Sequence, residues 1–452
     1  MSQPEMVESM LRIRNLYWAD ARFQPTVPTE DTGGLTAMLA TLRGQFSLAL
    51  PAPRDTLILV RDPLGVNKLF FAIDEAGTVM AANYLVDLVS PGVPFETVYS
   101  VPAGHFVEID PHGRTLSLRR YFHPDAAARR EAPALDAAAR RIREHLELWF
   151  ARLAADLGRR RVCVSLSGGL DSSMVAALAT KHFSSVTAYT YGYAGSDAPE
   201  SEDVRSARRV ADFLGVSLRF VPATPDEVLG VLEDALCYGQ DWREFNVHCA
   251  IVNEIIARAI VRDAPPAGGE EPPLVLTGDL MNELLADYAP LSHAGREIYT
   301  LPRVGPERLR AALVQGLDAG DREVGVFGHH GIDVVQPYGL VVDQLLSLPA
   351  AFIGGEGAKQ RLAREIAGEL LPSFLFARTK ARAQIGDATG PGGIVSTLQR
   401  AGCDARWLRR AFSRRLVVED ERSLDGFIRL GRYRFLREFQ HGRNRRHGPE
   451  AD

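Results

Sequence analysis

The sequence lacks the features that mark membrane, secreted and polyanion-binding proteins. No run of about 18 apolar residues could span a bilayer, and the first ten residues, MSQPEMVESM, have no apolar signal core. A formal net charge of -5 gives no overall attraction to nucleic acid or to an anionic membrane. These absences predict a cytoplasmic protein with no nucleic-acid partner and no membrane partner.

Cysteine is also scarce. The four cysteines, Cys163, Cys237, Cys249 and Cys403, are widely scattered and form no CxxC pair. His248 beside Cys249 is too small a set for a zinc site, and a chain of 452 residues can bury a core without disulfides. The simplest interpretation is that all four cysteines are reduced.

The length and the ordinary composition, 46% apolar and 24% charged, predict a globular chain of two domains. From Leu35 to about Tyr121, short apolar runs such as GQFSLAL, TLILVRD, KLFFAID, TVMAANY, GHFVEID and LSLRRYF are separated by Gly, Pro, Asp and Asn. Runs of this kind are typical of strands. The first part of the chain is therefore predicted to be a layered, β-rich domain.

The pattern changes near residue 125, where HPDAAARREAPALD reads as a linker into the amphipathic run LDAAARRIREHLELWFARLAADLG. Strand-like VCVSLS, VTAYTYGY and LRFVPA then alternate with helix-like SSMVAALATKHF and EDVRSARRVADFLG, which predicts a parallel α/β sheet. Strand-like LVLTGD follows, and the remainder is expected to be mostly helical. The predicted limits are 1–122, 135–440 and a basic tail at 441–452.

The strongest chemical signal is Ser167-Gly168-Gly169-Leu170-Asp171-Ser172-Ser173, between a hydrophobic strand and a helix. Adjacent glycines let backbone N–H groups approach an anion, serine hydroxyls add donors, and the helix presents its positive end. The lysine of a Walker A loop is missing, and an aspartate beside bound phosphates requires a cation, so Mg²⁺ is predicted. The alternative is an ordinary turn with an Asp or Ser cap.

Over nearly its whole length the chain resembles the asparagine synthetase family, and within it the β-lactam synthetase and carbapenam synthetase branch. LRGQFSLAL and LILVRDPLGVNKLFFA resemble the glutaminase-type domain, and VSLSGGLDSS, YTYGY, LVLTGDLMNELLADY, GIDVVQPYGL and ARTKARAQIGD follow in the family's order. The resemblance implies an N-terminal Ntn-hydrolase-like αββα layered domain. It implies next a PP-loop, adenine nucleotide α-hydrolase-like, parallel-sheet domain with a helical C-terminal part.

The activity implied by the resemblance is an ATP- and Mg²⁺-dependent ligase. It would adenylate a small-molecule carboxylic acid, release pyrophosphate and let an amine displace AMP. Glutamine-using members carry a cysteine after the initiator Met, whereas here Ser2 stands there and no cysteine precedes Cys163. The reaction is therefore expected to be glutamine-independent, in specialised metabolism such as antibiotic biosynthesis, and assembly as a homodimer is a further expectation.

Residue roles implied by the resemblance centre on the loop. Lys380 is expected to stabilise the leaving pyrophosphate and the oxyanion of amide formation, with Lys359 as a second pyrophosphate contact. The nucleotide is expected to contact Leu166, Ser167, Gly168, Gly169, Asp171, Ser172, Tyr191 and Gly278.

Two departures from the family's pattern fall in Thr277-Gly278-Asp279-Leu280-Met281-Asn282-Glu283. Asn282 stands where the family has a second metal-binding aspartate, so Asp171 and Asn282 are the predicted Mg²⁺ ligands, with Asp279 or Glu283 as substitutes. Asp279 stands where β-lactam synthetases place the tyrosine of a Tyr-Glu dyad. Asp279 with Asp333 is the predicted base, because paired carboxylates raise one pKa; otherwise Asp279 is a loop cap and Asp333 a turn residue.

Two other functions stay open at this stage. One is an asparagine synthetase that takes ammonia from solution or from a partner. The other is a non-catalytic scaffold that kept the fold after losing both active sites. His329 and His330, in VFGHHGID, are given no role, because two histidines beside glycine in a turn usually face solvent.

Overall fold

A computed structural model describes most of the chain, and it divides into two compact units. One comprises Met1–His123, Gln315–Gly320 and Phe412–Asp452, and the other Pro124–Val314 and Asp321–Ala411. The described residues are 11–14, 16–19, 32–53, 56–74, 77–110, 115–123, 134–194, 200–263, 271–287, 291–293, 296–299, 304–316, 322–354, 357–378 and 392–429. The predicted tail at 441–452 lies outside them.

The strands are numbered in chain order. They are β1 Leu11–Arg12, β2 Trp18–Ala19, β3 Gly44–Gln45, β4 Ser47–Pro51, β5 Leu57–Arg61, β6 Phe70–Ile73, β7 Val79–Ala82, β8 Tyr99–Ser100, β9 His105–Asp110, β10 Thr115–Arg120, β11 Val162–Ser165, β12 Val186–Tyr193, β13 Ser217–Ala223, β14 Leu274–Leu276, β15 Leu291–His293, β16 Arg296–Tyr299 and β17 Asp333–Val335.

The helices are numbered in the same way. They are α1 Thr32–Thr41, α2 Leu85–Val89, α3 Leu135–Leu157, α4 Leu170–His182, α5 Glu202–Leu214, α6 Pro225–Gly230, α7 Leu232–Gly239, α8 Glu244–Asp263, α9 Met281–Leu285, α10 Pro306–Gly316, α11 Val324–Gly328, α12 Val342–Leu346, α13 Ala358–Ala367, α14 Ile394–Arg400, α15 Ala405–Arg415 and α16 Glu421–Arg429. Short 3₁₀ turns lie at Phe95–Thr97, Pro337–Val341, Ala350–Phe352, Gly368–Leu370 and Ser373–Ala377.

The first unit contains two four-stranded sheets, in the orders β1-β7-β6-β8 and β10-β9-β5-β4. Leu59 and Val107 from one sheet and Phe71 and Ala81 from the other belong to one buried cluster, so the sheets share a core. Each strand predicted from an apolar run between GQFSLAL and LSLRRYF is confirmed. The layered β-rich prediction is therefore confirmed for this unit.

A buried Arg-Asp pair organises the loop after β5. Arg61 is fully buried and donates to the carbonyls of Gly65 at 2.7 Å, Val101 at 2.8 Å and Asn67 at 2.9 Å. The Asp62 carboxylate accepts from the backbone N–H groups of Val66 and Asn67, each at 2.9 Å. Because buried backbone groups must be paired, these two side chains decide the path of RDPLGVN.

The second unit is built on a five-stranded parallel sheet in the order β13-β12-β11-β14-β17. β11 lies in the middle, with β12 and β13 on one side and β14 and β17 on the other. The chain therefore reverses its winding direction between β11 and β14. Ligands bind at such a switch point, outside the carboxyl ends of the strands. The predicted parallel α/β fold is confirmed.

Local sequence explains why the crossover helices begin and end where they do. The Ser201 side chain accepts from the Val204 N–H at 3.2 Å and caps α5, which ends at Gly215 in the left-handed conformation. Both are preferred helix-end residues. Val204, Ala207 and Val210 form its buried stripe. One difference from the sequence prediction lies downstream, where the mostly helical remainder also contains β17 and the hairpin of β15 and β16.

Two predictions about absences can be compared with the structure. Each of the four cysteines is free, which confirms the interpretation from their spacing. Within the described ranges, no helix combines the length and the apolar character that crossing a membrane requires.

Replacing Arg61 by alanine is expected to lower the free energy of unfolding by about 3 kcal/mol or more. The change leaves buried carbonyls without donors and removes the cation beside Asp62. Urea unfolding of the purified chain measures the effect, with Arg119→Ala, an exposed arginine on β10, as the control. Equal stability of the two variants would contradict the assigned role of Arg61.

Candidate functional site

The predicted phosphate loop lies at the switch point of the parallel sheet. It leaves the end of β11 and turns at Gly168 and Gly169 into α4. Gly168 has φ of +71°, and its carbonyl accepts from Ser206 Oγ at 2.7 Å and from Arg378 Nη1 at 2.9 Å. The turn is therefore held from outside by α5 and by the segment after α13.

The second loop of the site follows β14 and touches the first. A side-chain carbon at Gly278 would lie 2.6 Å from the Ser172 backbone nitrogen, so only glycine permits this approach. Leu280 has φ of +79°, a conformation that costs a non-glycine residue about 1–2 kcal/mol, and it directly precedes α9. This strained turn places Asp279 and Asn282 beside the phosphate loop.

Lys359, on α13, joins the two loops. Its ammonium donates to Asp171 Oδ2 at 2.6 Å and to Asn282 Oδ1, and it lies 3.4 Å from Asp287 Oδ2. Burial alone would lower the pKa of Lys359, but the nearby carboxylates outweigh it and raise the pKa above its usual value. A charged lysine thus occupies the point on which the two predicted metal ligands converge.

The chemistry of these oxygens fits a cation. Asp171 Oδ1 is buried and has no hydrogen-bond partner among the residues that the structure describes. A carboxylate oxygen in that condition is costly unless a positive charge approaches it. The Asn282 carbonyl has a second lone pair beyond the one used by Lys359. The residue set therefore suits the cation that a bound nucleotide requires.

A second group of charged side chains lies near the phosphate loop and the Lys359 cluster, and it is centred on Arg322. Arg322 donates from Nε to Asp279 Oδ2 at 3.0 Å and from Nη2 to Glu283 Oε1 at 2.8 Å. Glu323 Oε2 accepts from Thr277 Oγ1 at 2.6 Å and from Gln336 Nε2 at 2.8 Å. Burial and the neighbouring Asp279 raise the pKa of Glu323 well above its usual value. Burial likewise raises the pKa of Asp279, partly offset by Arg322.

Asp279 and Glu323 therefore form a carboxylate pair in which both pKa values are raised. A hydrogen bond between the two carboxyl groups partly lowers the pKa of Asp279, whereas the charge of Asp279 raises the pKa of Glu323. Sequence reasoning missed Glu323, because no local motif separates this residue from a surface glutamate. The fold alone brings it to Asp279 across 44 positions of sequence.

The predicted pairing of Asp279 with Asp333 is wrong. Asp333 is opposite Leu274, the first residue of β14, whereas Asp279 follows the last residue, Leu276. Asp333 therefore lies at the amino ends of the parallel strands and Asp279 beyond their carboxyl ends. Each strand residue advances about 3.3 Å, so the length of β14 separates the two aspartates. Asp333 pairs instead with Arg160 Nη1 at 2.5 Å. It has a structural partner and does not line the cavity.

The cavity between the loops has a volume of about 250 Å³. Its walls include the phosphate loop, the Lys359 cluster, the Asp279–Glu323 pair and apolar atoms of Phe245 and Val252. Leu166 and Tyr191 are buried at the ends of β11 and β12, outside the cavity wall, and their adenine contact stays a prediction. Lys380 lies outside the described residues, so its role stays a prediction too.

Gly168→Ala is expected to destabilise the chain by about 1–3 kcal/mol more than Gly215→Ala. Both glycines have positive φ, +71° and +65°, but a carbon at Gly168 would lie 2.6 Å from Asp203 O and Ala207 N, whereas Gly215 has open space. Backbone strain is therefore matched and only the steric clash differs. Thermal unfolding of both variants gives the comparison, and equal losses would show that the loop has room.

Comparison with known proteins finds one family model and several relatives. Residues 141–317 match the family model described as asparagine synthase. A probable glutamine-hydrolysing asparagine synthetase of Schizosaccharomyces pombe is 27% identical over 265 residues, which cover 55% of this chain and 44% of that protein. The rat asparagine synthetase is 25% identical over 388 residues, covering 77% and 64%. A Gibberella zeae protein named amidase chry2 is 28% identical over 244 residues, covering 45% and 35%.

The chain thus spans less than two thirds of the length of these relatives. The family match covers β11, α4, β12 and β14, and with them both loops at the switch point of the sheet. The order of these elements and the matched relatives together show that this part of the chain is similar to the asparagine synthetase family.

Proposed function

We propose that the protein is an ATP- and Mg²⁺-dependent carbon–nitrogen ligase that adenylates a carboxylic acid and then joins it to an amine. One observation carries the proposal. Two loops at the switch point direct Asp171 and Asn282 onto one cationic position, within a cavity that also contains a carboxylate pair with a raised pKa. Nucleotide phosphates need the first feature, and an amine nucleophile needs the second.

The first chemical step assigned to the site is adenylation. A carboxylate oxygen of the acid attacks the α-phosphorus of ATP, and the bond from that phosphorus to the bridging oxygen of pyrophosphate breaks. Backbone N–H groups at the start of α4 and the Lys359 ammonium face the phosphates and balance the charge that moves to the leaving group. Lys380 is proposed as a further cation for this charge.

The site contains oxygen ligands that could bind Mg²⁺. Asp171, through the unpartnered Oδ1, and Asn282 would hold it. When bound, Mg²⁺ neutralises phosphate charge and orients the nucleotide. Lys359 already neutralises part of this cluster in the structure, so a neutral Asn282 is compatible with phosphate binding.

The second step assigned to the site is amide formation. The amine nitrogen attacks the acyl carbon of the adenylate, the carbon–oxygen bond to AMP breaks, and the nitrogen loses a proton. The Asp279–Glu323 pair, in which burial and Asp279 raise the pKa of Glu323, accepts that proton. Arg322 keeps Asp279 oriented and limits the cost of its negative charge.

The choice of substrates follows from the resemblance. The proposed acid is an amino-acid-like carboxylate in specialised metabolism, as in the β-lactam branch that the sequence resembles. With Ser2 in place of the nucleophilic cysteine, the amine is proposed to come without glutamine. Residues 1–122 would then serve as a structural domain, and homodimer formation and cytoplasmic location stay predictions.

A second candidate is an ammonia-dependent asparagine synthetase, which the names of the matched relatives favour. Steady-state formation of asparagine from aspartate and ammonia would select this candidate. Exchange of pyrophosphate into ATP that depends on another acid, without asparagine formation, would select the first.

Lys359→Met is expected to lower carboxylate-dependent exchange of labelled pyrophosphate into ATP by about 10²-fold or more. The change removes the ammonium from the phosphate cluster without adding bulk. A panel of amino and keto acids is assayed first with the unaltered chain, and Asp171→Ala should abolish the exchange. Lys181→Met, an exposed lysine at the end of α4, is the matched control and should keep full exchange. Absence of exchange and of nucleotide binding would point to a non-catalytic scaffold.

Glu323→Gln is expected to separate the two steps. Pyrophosphate exchange should stay within a few-fold of the unaltered chain, whereas amide formation should fall by about 10²–10⁴-fold, because the pair can no longer accept the amine proton. Glu365→Gln, on the exposed face of α13, is the control for loss of a glutamate. A parallel loss in both assays would assign Glu323 to binding rather than to proton transfer.

A further inference from the structure

A cluster of two histidines and a glutamate lies outside the proposed catalytic residues. Glu254, on α8, is fully buried, and its Oε2 and Oε1 accept from His329 Nε2 at 2.8 Å and His330 Nε2 at 2.9 Å. The two histidines directly follow α11. Three ligand-type atoms from two elements thus lie within 4.8 Å of one another. The sequence suggested that the two histidines face solvent. In the structure both instead form hydrogen bonds with Glu254.

The charge around the cluster favours a cation. Arg258 donates from Nε to Glu254 Oε1 at 2.8 Å, but its Nη2 also pairs with Asp234 at 2.6 Å. One arginine therefore faces two carboxylates, which leaves one negative charge when both imidazoles are neutral. Burial alone would raise the pKa of Glu254, yet the two histidines outweigh it and lower the pKa to about 2. The carboxylate is therefore ionised across the physiological range.

The two imidazole rings are partly exposed to solvent, and stacking holds one of them in a fixed orientation. Tyr238 stacks on the His329 ring with 3.8 Å between centroids and 5° between planes, which fixes that ring. The His329 and His330 side chains are 13% and 18% exposed, so an ion can reach them from solvent without unfolding the protein. Preorganised, partly accessible donors are what a binding site for a metal ion requires.

We propose that Glu254, His329 and His330 bind a transition-metal dication of the Zn²⁺ type. Two imidazole nitrogens and one carboxylate oxygen are ligands that suit Zn²⁺, whereas Mg²⁺ prefers oxygen alone. Each neutral imidazole moves its proton to Nδ1 and presents Nε2 to the ion, and water completes the coordination. Proton competition for the imidazoles makes the affinity fall as the pH is lowered.

A metal ion at this site would link α8 to the turn after α11, and both lie next to residues of the proposed catalytic cavity. α8 also carries Asn253, which lines the cavity and donates from Nδ2 to Arg322 O at 2.5 Å. α11 begins directly after Glu323 and ends directly before His329. A metal ion that joins Glu254 to His329 and His330 therefore restrains the short segment that contains Glu323. The proposed metal site does not depend on the proposed ligase activity, because the partners of its ligands among the described residues are Arg258 and Tyr238, which have no proposed catalytic role.

The test is Zn²⁺ binding by the full chain after treatment with a chelator and gel filtration. Calorimetry with Zn²⁺ alone is expected to show one ion per chain, lost in the double variant H329Q/H330Q and weakened at least about 10-fold in Glu254→Gln. His182→Gln is the matched control, because His182 pairs with Glu147 at 2.5 Å without a second histidine. This variant should bind Zn²⁺ as the unaltered chain does.

A measurement on the unaltered chain covers the case in which the double variant does not fold. Zn²⁺ should protect His329 and His330, but not His182, from acylation by diethyl pyrocarbonate, read by peptide mass spectrometry. The proposal is overturned if the unaltered chain takes up no Zn²⁺, if the folded double variant binds it equally well, or if Zn²⁺ leaves His329 and His330 unprotected. Binding through Cys249 or another cysteine would appear as uptake that the double variant keeps.

Discussion

The ammonium of Lys359 is the interaction on which the arrangement of the site depends. It donates to Asp171 on the first loop and to Asn282 on the second, and it lies beside Asp287. Without a cation at this point, two partly buried carboxylates and an amide oxygen would face one another without a positive partner, which is unfavourable. The same convergence makes the point suitable for nucleotide phosphates and for Mg²⁺.

Arg322 likewise places a positive charge between two acidic side chains, on the loop and helix that follow β14. Its guanidinium donates hydrogen bonds to Asp279 and Glu283. Glu323 accepts hydrogen bonds from Thr277 and Gln336, and burial together with Asp279 raises its pKa. The two carboxylate environments differ, because Asp279 pairs with an arginine whereas Glu323 is hydrogen-bonded by the neutral side chains of Thr277 and Gln336.

Short-range sequence signals predicted the elements well, because their causes are local. The apolar runs bounded by turn residues correspond to β4, β5, β6 and β9. The alternating strand and helix patterns correspond to the parallel sheet and its crossover helices. The glycines of the loop could be recognised because only glycine tolerates positive φ at Gly168 and the close approach at Gly278. The hairpin of β15 and β16 and the strand at Asp333 were missed, since each of these strands has only three or four residues.

The sequence by itself determined the fold class, the phosphate loop and the position of Asp171, because strand periodicity, glycine stereochemistry and helix ends act over a few residues. Only the tertiary structure decided which distant side chains meet. It separated Asp333 from Asp279, brought Glu323 to Asp279, and placed Lys359 between Asp171 and Asn282. Such partners are chosen by strand order and by the pairing of buried charges, which involve residues far apart in the chain.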